Sequence, residues 1–306
     1  MNQKRIVIAG GSGFIGRALA RDFSVCGFEV LILTRTPHAR ADGIREIEWD
    51  GKHVGEWIAT LDGAEAVINL TGKNINCPHT PANGRALTAS RVDSVNALAA
   101  ALLQVKIPPR VWVQASATGF YGDTGDQAGI ENSPAGQNLL AEICQSWEAA
   151  FAVAKAPLTR KVTLRIGFVL GRDGGALPVL SKITRWFLGG AVGSGRQYIS
   201  WIHLTDLVQM FATVVKRDNL AGTFNAVGPE AVTNEEFMRE LRRVWHRPWS
   251  PPAPEFAVRL GAWLMGSEPT LALASSRCIP AKFLELEFPF QFPHLRAALE
   301  NLCREK

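Results

Sequence analysis

The run Arg5 to Gly16, RIVIAGGSGFIG, constrains this chain more than any other stretch. Arg5 to Ala9 is a β-branched apolar segment of strand length. Phe14, Ile15, Ala18, Leu19 and Phe23 then recur at spacings of three and four, as one face of a helix does. Two glycine patterns overlap between them, Gly11-x-Gly13-x-x-Gly16 and Gly10-x-x-Gly13-x-x-Gly16. Gly10 and Gly11 permit a sharp turn, Gly13 lets the backbone approach a pyrophosphate, and Gly16 lets helix and strand pack closely. A diphosphate would sit on unpaired N–H groups at the helix N-terminus, where the helix dipole favours negative charge. The alternative is a glycine turn with no ligand. The position, directly after a strand and before a helix, argues for a dinucleotide site.

The second strand, Glu29 to Thr34, ends in Thr34-Arg35-Thr36. An NAD site usually places a carboxylate here for the ribose 2'-hydroxyl, whereas the planar fork of Arg35 suits a 2'-phosphate, so the expected cofactor is NADP rather than NAD. A solvated loop arginine is the alternative. A third strand, Glu46 to Trp49, ends at Asp50-Gly51, whose carboxylate is placed to reach the adenine, and a fourth, Ala66 to Leu70, runs into Thr71-Gly72. Lys73 to Gly84, with Pro78, Pro81 and Gly84, reads as an exposed loop at the rim, followed by a helix that Arg91 opens. Strand five, Val111 to Ala115, leads into Ser116-Ala117-Thr118-Gly119-Phe120-Tyr121. Ser116 and Thr118 would project hydroxyls toward the nicotinamide and Tyr121 a phenol; a local turn or cap bond is the alternative for each hydroxyl. A helix from Asn138 to Ala154 and a sixth strand, Val162 to Leu170, follow.

From Gly171 the character changes, which divides the chain into a dinucleotide-binding part, 1–170, and a substrate-side part, 171–306, with a return to the sheet left open. Val179 to Leu188 reads as a helix, and the glycine-rich Gly189 to Gly195 as a mobile lid rather than a second phosphate cradle, since no helix opens after it. Trp201-Ile202-His203 with Thr205-Asp206 begin another helix, in which His203 is structural rather than a proton carrier. Gly222 to Val227 is a strand, and Thr233 to Glu236 has capping-box spacing. Pro248 to Pro254 connects to an apolar helix near Phe256 to Met265, and a last helix spans His294 to Cys303.

Composition narrows the partners. With 47% hydrophobic and 20% charged residues among 306, a net charge of +5 and no block of like charges, the chain lacks the signature of a nucleic-acid surface. No run of 18 apolar residues suggests a membrane span, and the N-terminus enters the first strand at once, so a cytoplasmic protein without a cleavable signal is expected. The five cysteines are scattered, with no C-x-x-C pair, and read as reduced thiols without a metal site. The expected partner is a small-molecule substrate. The sequence gives no oligomeric state.

Together these motifs resemble the short-chain dehydrogenase/reductase superfamily in its extended or atypical form. Ala115 to Asp123, Gly193-Ser194-Gly195-Arg196-Gln197 with Trp201-Ile202-His203, and Ile279-Pro280-Ala281-Lys282 resemble, more narrowly, the YfcH-like epimerase branch with its small C-terminal domain. The resemblance implies an α/β fold, a Rossmann-type doubly wound parallel sheet with a smaller substrate-side α/β portion. It places Gly10, Gly13, Phe14, Ile15 and Gly16 in the diphosphate loop, Thr34 and Arg35 at the 2'-phosphate, Leu70, Thr71 and Gly72 in the strand-four loop, and Phe168 and Val169 beside the nicotinamide. Arg91 stands where many extended members have asparagine. The superfamily's Tyr-x-x-x-Lys pair is missing: Gly125 follows Tyr121 by four and Ile202 follows Tyr198 by four, and Leu140 and Cys144 fall where the pair would stand. The implied activity is an NADP-dependent oxidoreductase or nucleotide-sugar epimerase acting on a small polar carbonyl or hydroxyl substrate. Tyr121 would be the surrogate acid/base, with Ser116 or Thr118 orienting the substrate. The alternative is a catalytically silent NADP(H)-binding sensor or scaffold.

Overall fold

The apolar runs bounded by glycines and turns become one parallel sheet in the computed structural model, which describes residues 3–256, 258–259 and 268–303. In chain order the strands are β1 (Arg5–Ala9), β2 (Glu29–Thr34), β3 (Arg45–Glu48), β4 (Ala66–Asn69), β5 (Val111–Ala117), β6 (Arg160–Ile166), β7 (Phe168–Leu170), β8 (Tyr198–Ile199), β9 (Trp201–His203), β10 (Gly222–Ala226) and β11 (Val232–Thr233). The sheet runs β10-β6-β5-β4-β1-β2-β3 with every neighbour parallel. The central strands carry apolar side chains in succession because both faces are covered: Ile6, Val7, Ile8 and Val67, Ile68 are fully buried.

The covering helices are α1 (Phe14–Val25), α2 (Pro81–Leu102), α3 (Leu139–Val153) and α5 (Leu204–Lys216), while α4 (Leu177–Arg185) and α6 (Asn234–Val244) pack in a second core. From β1 to β2 the sheet grows one way, and from β4 to β5 the other. Right-handed crossovers therefore put α1 and α2 on opposite faces, and the order reverses at β1/β4, the position where such sheets open a crevice at their carboxyl ends. α1 packs against α5, and α2 against α3.

The structure departs from the sequence reading at several places. The helix expected to open at Arg91 begins ten residues earlier: Thr80 caps it by accepting from Asn83 N at 3.2 Å, and Pro81 lies in the first turn, where a missing N–H costs nothing. Arg91 is thus mid-helix, and the rim loop ends at Thr80. The sixth strand breaks at Gly167, where a Cβ would strike the Ser200 carbonyl. β6 stays in the main sheet while β7 pairs with β9. Trp201 to His203 is that strand rather than the start of α5, which His203 caps by accepting from Thr205 N at 3.1 Å.

After residue 170 the chain crosses back, since α5 packs on α1 and β10 pairs with β6. A second core then forms from Leu177, Trp201, Phe237, Met238 and Leu241 with the helix Leu295–Cys303. The expected capping box is present at Thr233 and Glu236. The Gly189 to Gly195 loop is pinned rather than a free lid: Gly193 N donates to Ala253 O, Ala253 N to Ala191 O, and Gly190 lies so close to Pro251 and Pro252 that no Cβ fits. The helix expected near Phe256 to Met265 lies mostly outside the described residues.

Candidate cofactor and substrate site

At the carboxyl end of β1 the glycines do steric work. Gly10 has φ +75°, and a Cβ there would sit 3.1 Å from Leu70 C and Thr71 N; one on Gly16 would sit 2.5 Å from Gly11 Cα. The loop therefore lies flat against Leu70-Thr71 and against its own helix. Gly13 is the N-cap of α1, with no side-chain cap and no acidic residue in the first turn. The first N–H groups of a helix have no intrahelical acceptor, so those of Phe14, Ile15 and Gly16 face an open anion site. Thr71 Oγ1, beside this loop, is buried without a partner among the described residues. An uncapped helix start, a backbone cradle and an orphaned hydroxyl fit the diphosphate and ribose of a dinucleotide.

At the end of β2, Thr34 Oγ1 lies 3.2 Å from Ser12 Oγ, which ties the glycine loop to the position expected for a 2'-phosphate. Arg35 is exposed and carries no ion pair among the described residues. Arg17 stands on the first turn of α1 with Nη1 donating to Ser12 O at 2.8 Å, a second cation that the glycine pattern did not single out. The Asp50 carboxylate is spent on its own turn instead of facing an adenine. It accepts from Lys52 N, His53 N and the His53 ring, which holds its pKa down at about 2.

The β5 end is arranged differently. Ser116 lies inside β5 and donates to Glu148 Oε1 on α3 at 2.6 Å, and Arg165 on β6 grips the same carboxylate with Nε at 2.9 Å and Nη2 at 2.8 Å. Arg165 also donates to the Tyr121 hydroxyl at 2.8 Å, and that hydroxyl donates to Asn225 Oδ1 at 2.6 Å. Asn225 in turn donates from its backbone to Glu131 and from its amide to Gly129 O and Ile279 O. Tyr121 is 3% exposed, and burial pushes its pKa up to about 12. With its hydroxyl accepting from Arg165 and donating to Asn225, Tyr121 is tied into a buried network. Thr118 Oγ1 makes no hydrogen bond among the described residues, while its carbonyl accepts from Ser276 Oγ at 3.4 Å.

The tail closes this end. Gly129 N donates to Arg277 O, Ile279 N to Gly129 O and Cys278 N to Ser200 Oγ. Glu268 accepts from His79 N at 2.8 Å in the rim loop.

Residues 6–227 match the NAD dependent epimerase/dehydratase family, and residues 253–302 a domain of unknown function, DUF1731. The chain belongs to the NAD dependent epimerase/dehydratase family. It is 31% identical to the chloroplastic epimerase family protein SDR39U1 homolog of Arabidopsis thaliana over 99% of this chain and 88% of that one. It is 32% identical to the Homo sapiens epimerase family protein SDR39U1, covering 97% and 99%. A crystal structure of human SDR39U1 (isoform 2) with NADPH superimposes with a TM-score of 0.87 at 30% identity, covering 97% of this chain and 98% of that one. No helix among the described residues is long and apolar enough to cross a membrane.

Phe14 is clasped by the turn after β7, since a Cβ on Gly171 or Gly174 would strike its ring; its backbone N–H, not its side chain, is free for a ligand. Phe168 turns its ring edge to Phe237 at 5.9 Å in the second core, and Val169 packs on the first. Arg91 presses against Gly72 and covers the Trp147 ring at 5.1 Å. Leu140 and Cys144, at the positions of the absent pair, pack beside Gly119, and burial raises the Cys144 pKa to about 11, so neither is an acid/base at neutral pH. Glu148 and Arg165 were not singled out from the sequence. The signal available was one cation inside the apolar strand Val162-Thr163-Leu164-Arg165-Ile166.

Proposed function

We propose that this protein is an NADP(H)-dependent oxidoreductase or epimerase of a small polar carbonyl or hydroxyl substrate. The observation that carries it is the uncapped α1 N-terminus backed by Leu70-Thr71, with exposed Arg35 beside the Ser12–Thr34 contact. Gly10, Gly13 and Gly16 with the Phe14 and Ile15 N–H groups hold the diphosphate. Thr34 and Arg35 hold the 2'-phosphate, and Leu70, Thr71 and Gly72 border the ribose. NADP(H), when bound, supplies or accepts the hydride. Phe168 and Val169 contribute backbone beside the reacting ring, and Thr118 orients a substrate oxygen. The Glu148–Arg165 pair fixes Ser116 with its proton turned inward, so Ser116 offers only lone pairs to a ligand. Because Tyr121 is locked, the proton exchanged with substrate comes from solvent rather than from a phenol.

A second reading has its own observation. With Ser116, Glu148, Arg165, Tyr121 and Asn225 bonded to one another, the protein also fits a binding-only NADP(H) sensor. NADPH fluorescence titration tests the first step: Arg35→Ala should weaken NADPH by about tenfold to a hundredfold while leaving NADH unchanged, as expected for losing one charge-assisted phosphate contact. Equal NADPH and NADH affinities in the wild type would overturn the NADP(H) assignment. NADPH oxidation against a carbonyl panel then separates enzyme from sensor, since tight binding with no turnover of any carbonyl supports the second.

A further inference from the structure

Among the described residues Arg91 is a guanidinium without a counter-ion. The other arginines drawn into the fold are answered from within: Arg165 by Glu148, Arg5 by Glu29, and Arg160 by the carbonyls of Leu220, Val214 and Val215. Among the described residues Arg91 makes one hydrogen bond, from Nη1 to Leu87 O at 2.9 Å, and has no carboxylate partner. Burial lowers its pKa, and the neighbouring groups include the thiols of Cys144 and Cys77. A withdrawn cation is costly unless an anion answers it. Nothing in the described fold does so.

Its surroundings hold it in one pose. A Cβ on Gly72 would stand 3.1 Å from its Cζ and 3.2 Å from Nη2, so glycine is what admits the guanidinium to the β4 loop. Trp147 packs on its face at 5.1 Å, and the Leu87 carbonyl fixes one nitrogen. Five donors less one leave a planar fork, which matches a carboxylate better than a single-point acceptor. The cofactor's own anions are provided for elsewhere, the diphosphate at the α1 N-terminus and the 2'-phosphate at Arg35. Arg91 stands beyond Gly72, on α2 facing the α3 residues Cys144 and Trp147.

We propose that Arg91 is the substrate's anion receptor and that the substrate carries a carboxylate next to its reacting carbonyl or hydroxyl carbon, the class of 2-oxo and 2-hydroxy acids. This deepens the NADP(H) assignment and rests on it. In one experiment, binding of pyruvate, 2-oxobutyrate and their uncharged amides is measured by calorimetry with and without NADPH, on the wild type and on Arg91→Met and Arg91→Lys. The wild type should prefer acid to amide by about thirtyfold or more, Arg91→Met should lose that preference, and Arg91→Lys should keep part of it. NADPH affinity should stay within about twofold in both variants. Acids and amides binding alike to the wild type, or no binding of either acid, overturns the proposal without using a variant. A preference that survives in Arg91→Met overturns it, as does a tenfold loss of NADPH affinity there, which assigns Arg91 to the cofactor. Failure of the NADP(H) assignment reads separately, as a wild type that binds no NADPH while its acid preference is still measured without cofactor.

Discussion

The two ends of the β1–β5 crevice treat their polar groups in opposite ways. Around β1 and β2 the chain leaves donors open: an α1 start without a cap, the buried Thr71 hydroxyl without a partner, and Arg35 in solvent. Around β5 and β6 it closes them, with Ser116, Glu148, Arg165, Tyr121 and Asn225 bonded to one another. An open end is shaped by what it will bind, and a closed end by what it must hold in place.

The largest test of this contrast is Glu148→Gln. Glutamine keeps the size and can still accept from Ser116, but it leaves Arg165 charged and buried without its counter-ion. Urea unfolding should show a loss of about 3–5 kcal/mol. NADPH affinity of the folded variant should be unchanged, because the open end lies on other strands. Coupled loss of both would break the contrast.

His203 lies buried on the C-terminal side. It is 3% exposed, stacks on Phe292 at 3.9 Å, and uses its Nδ1 lone pair to cap α5. Burial pushes its pKa down to about 4, below the ordinary 6.5. Between those values the unfolded chain binds a proton that the folded chain refuses. Stability is therefore full above pH 6.5 and falls as the pH drops toward 4, by about 3 kcal/mol over the window. Thermal melts across this range should show the slope in the wild type and a flatter one in His203→Gln. An unchanged slope would move the acid sensitivity to another group.

What the sequence revealed follows from where the physics is local. β1, α1 and β2 are readable because period, glycine sterics and helix capping act within twenty residues, and the predicted bounds of β1 and β2 match the structure. The Thr233 capping box is readable for the same reason. The start of α2 was hidden because Pro81 and Gly84 read as breakers, although a proline in the first turn is compatible with a helix. The break at Gly167 depends on the Ser200 carbonyl, 33 positions away by the numbering, and no local pattern announces it. The surroundings of Tyr121 were hidden for the same reason. Its partners Arg165 and Asn225 lie 44 and 104 residues downstream, and they turn a phenol beside a strand end into part of the core.

Tyr121→Phe is the smallest and most discriminating change. Removing the hydroxyl takes one acceptor from Arg165 and one donor from Asn225, whose other bonds to Gly129 and Ile279 remain. The cost in urea unfolding should be about 1–2 kcal/mol, the range for a buried hydrogen bond whose partners keep other contacts. Because the phenol is held by Arg165 and Asn225, any NADPH-dependent turnover should keep its kcat and its pH profile in the variant. A loss of about a hundredfold in kcat at unchanged stability would be the size expected of a missing general acid. That result would reopen the closed end, since the phenol would then have to leave Asn225 during turnover.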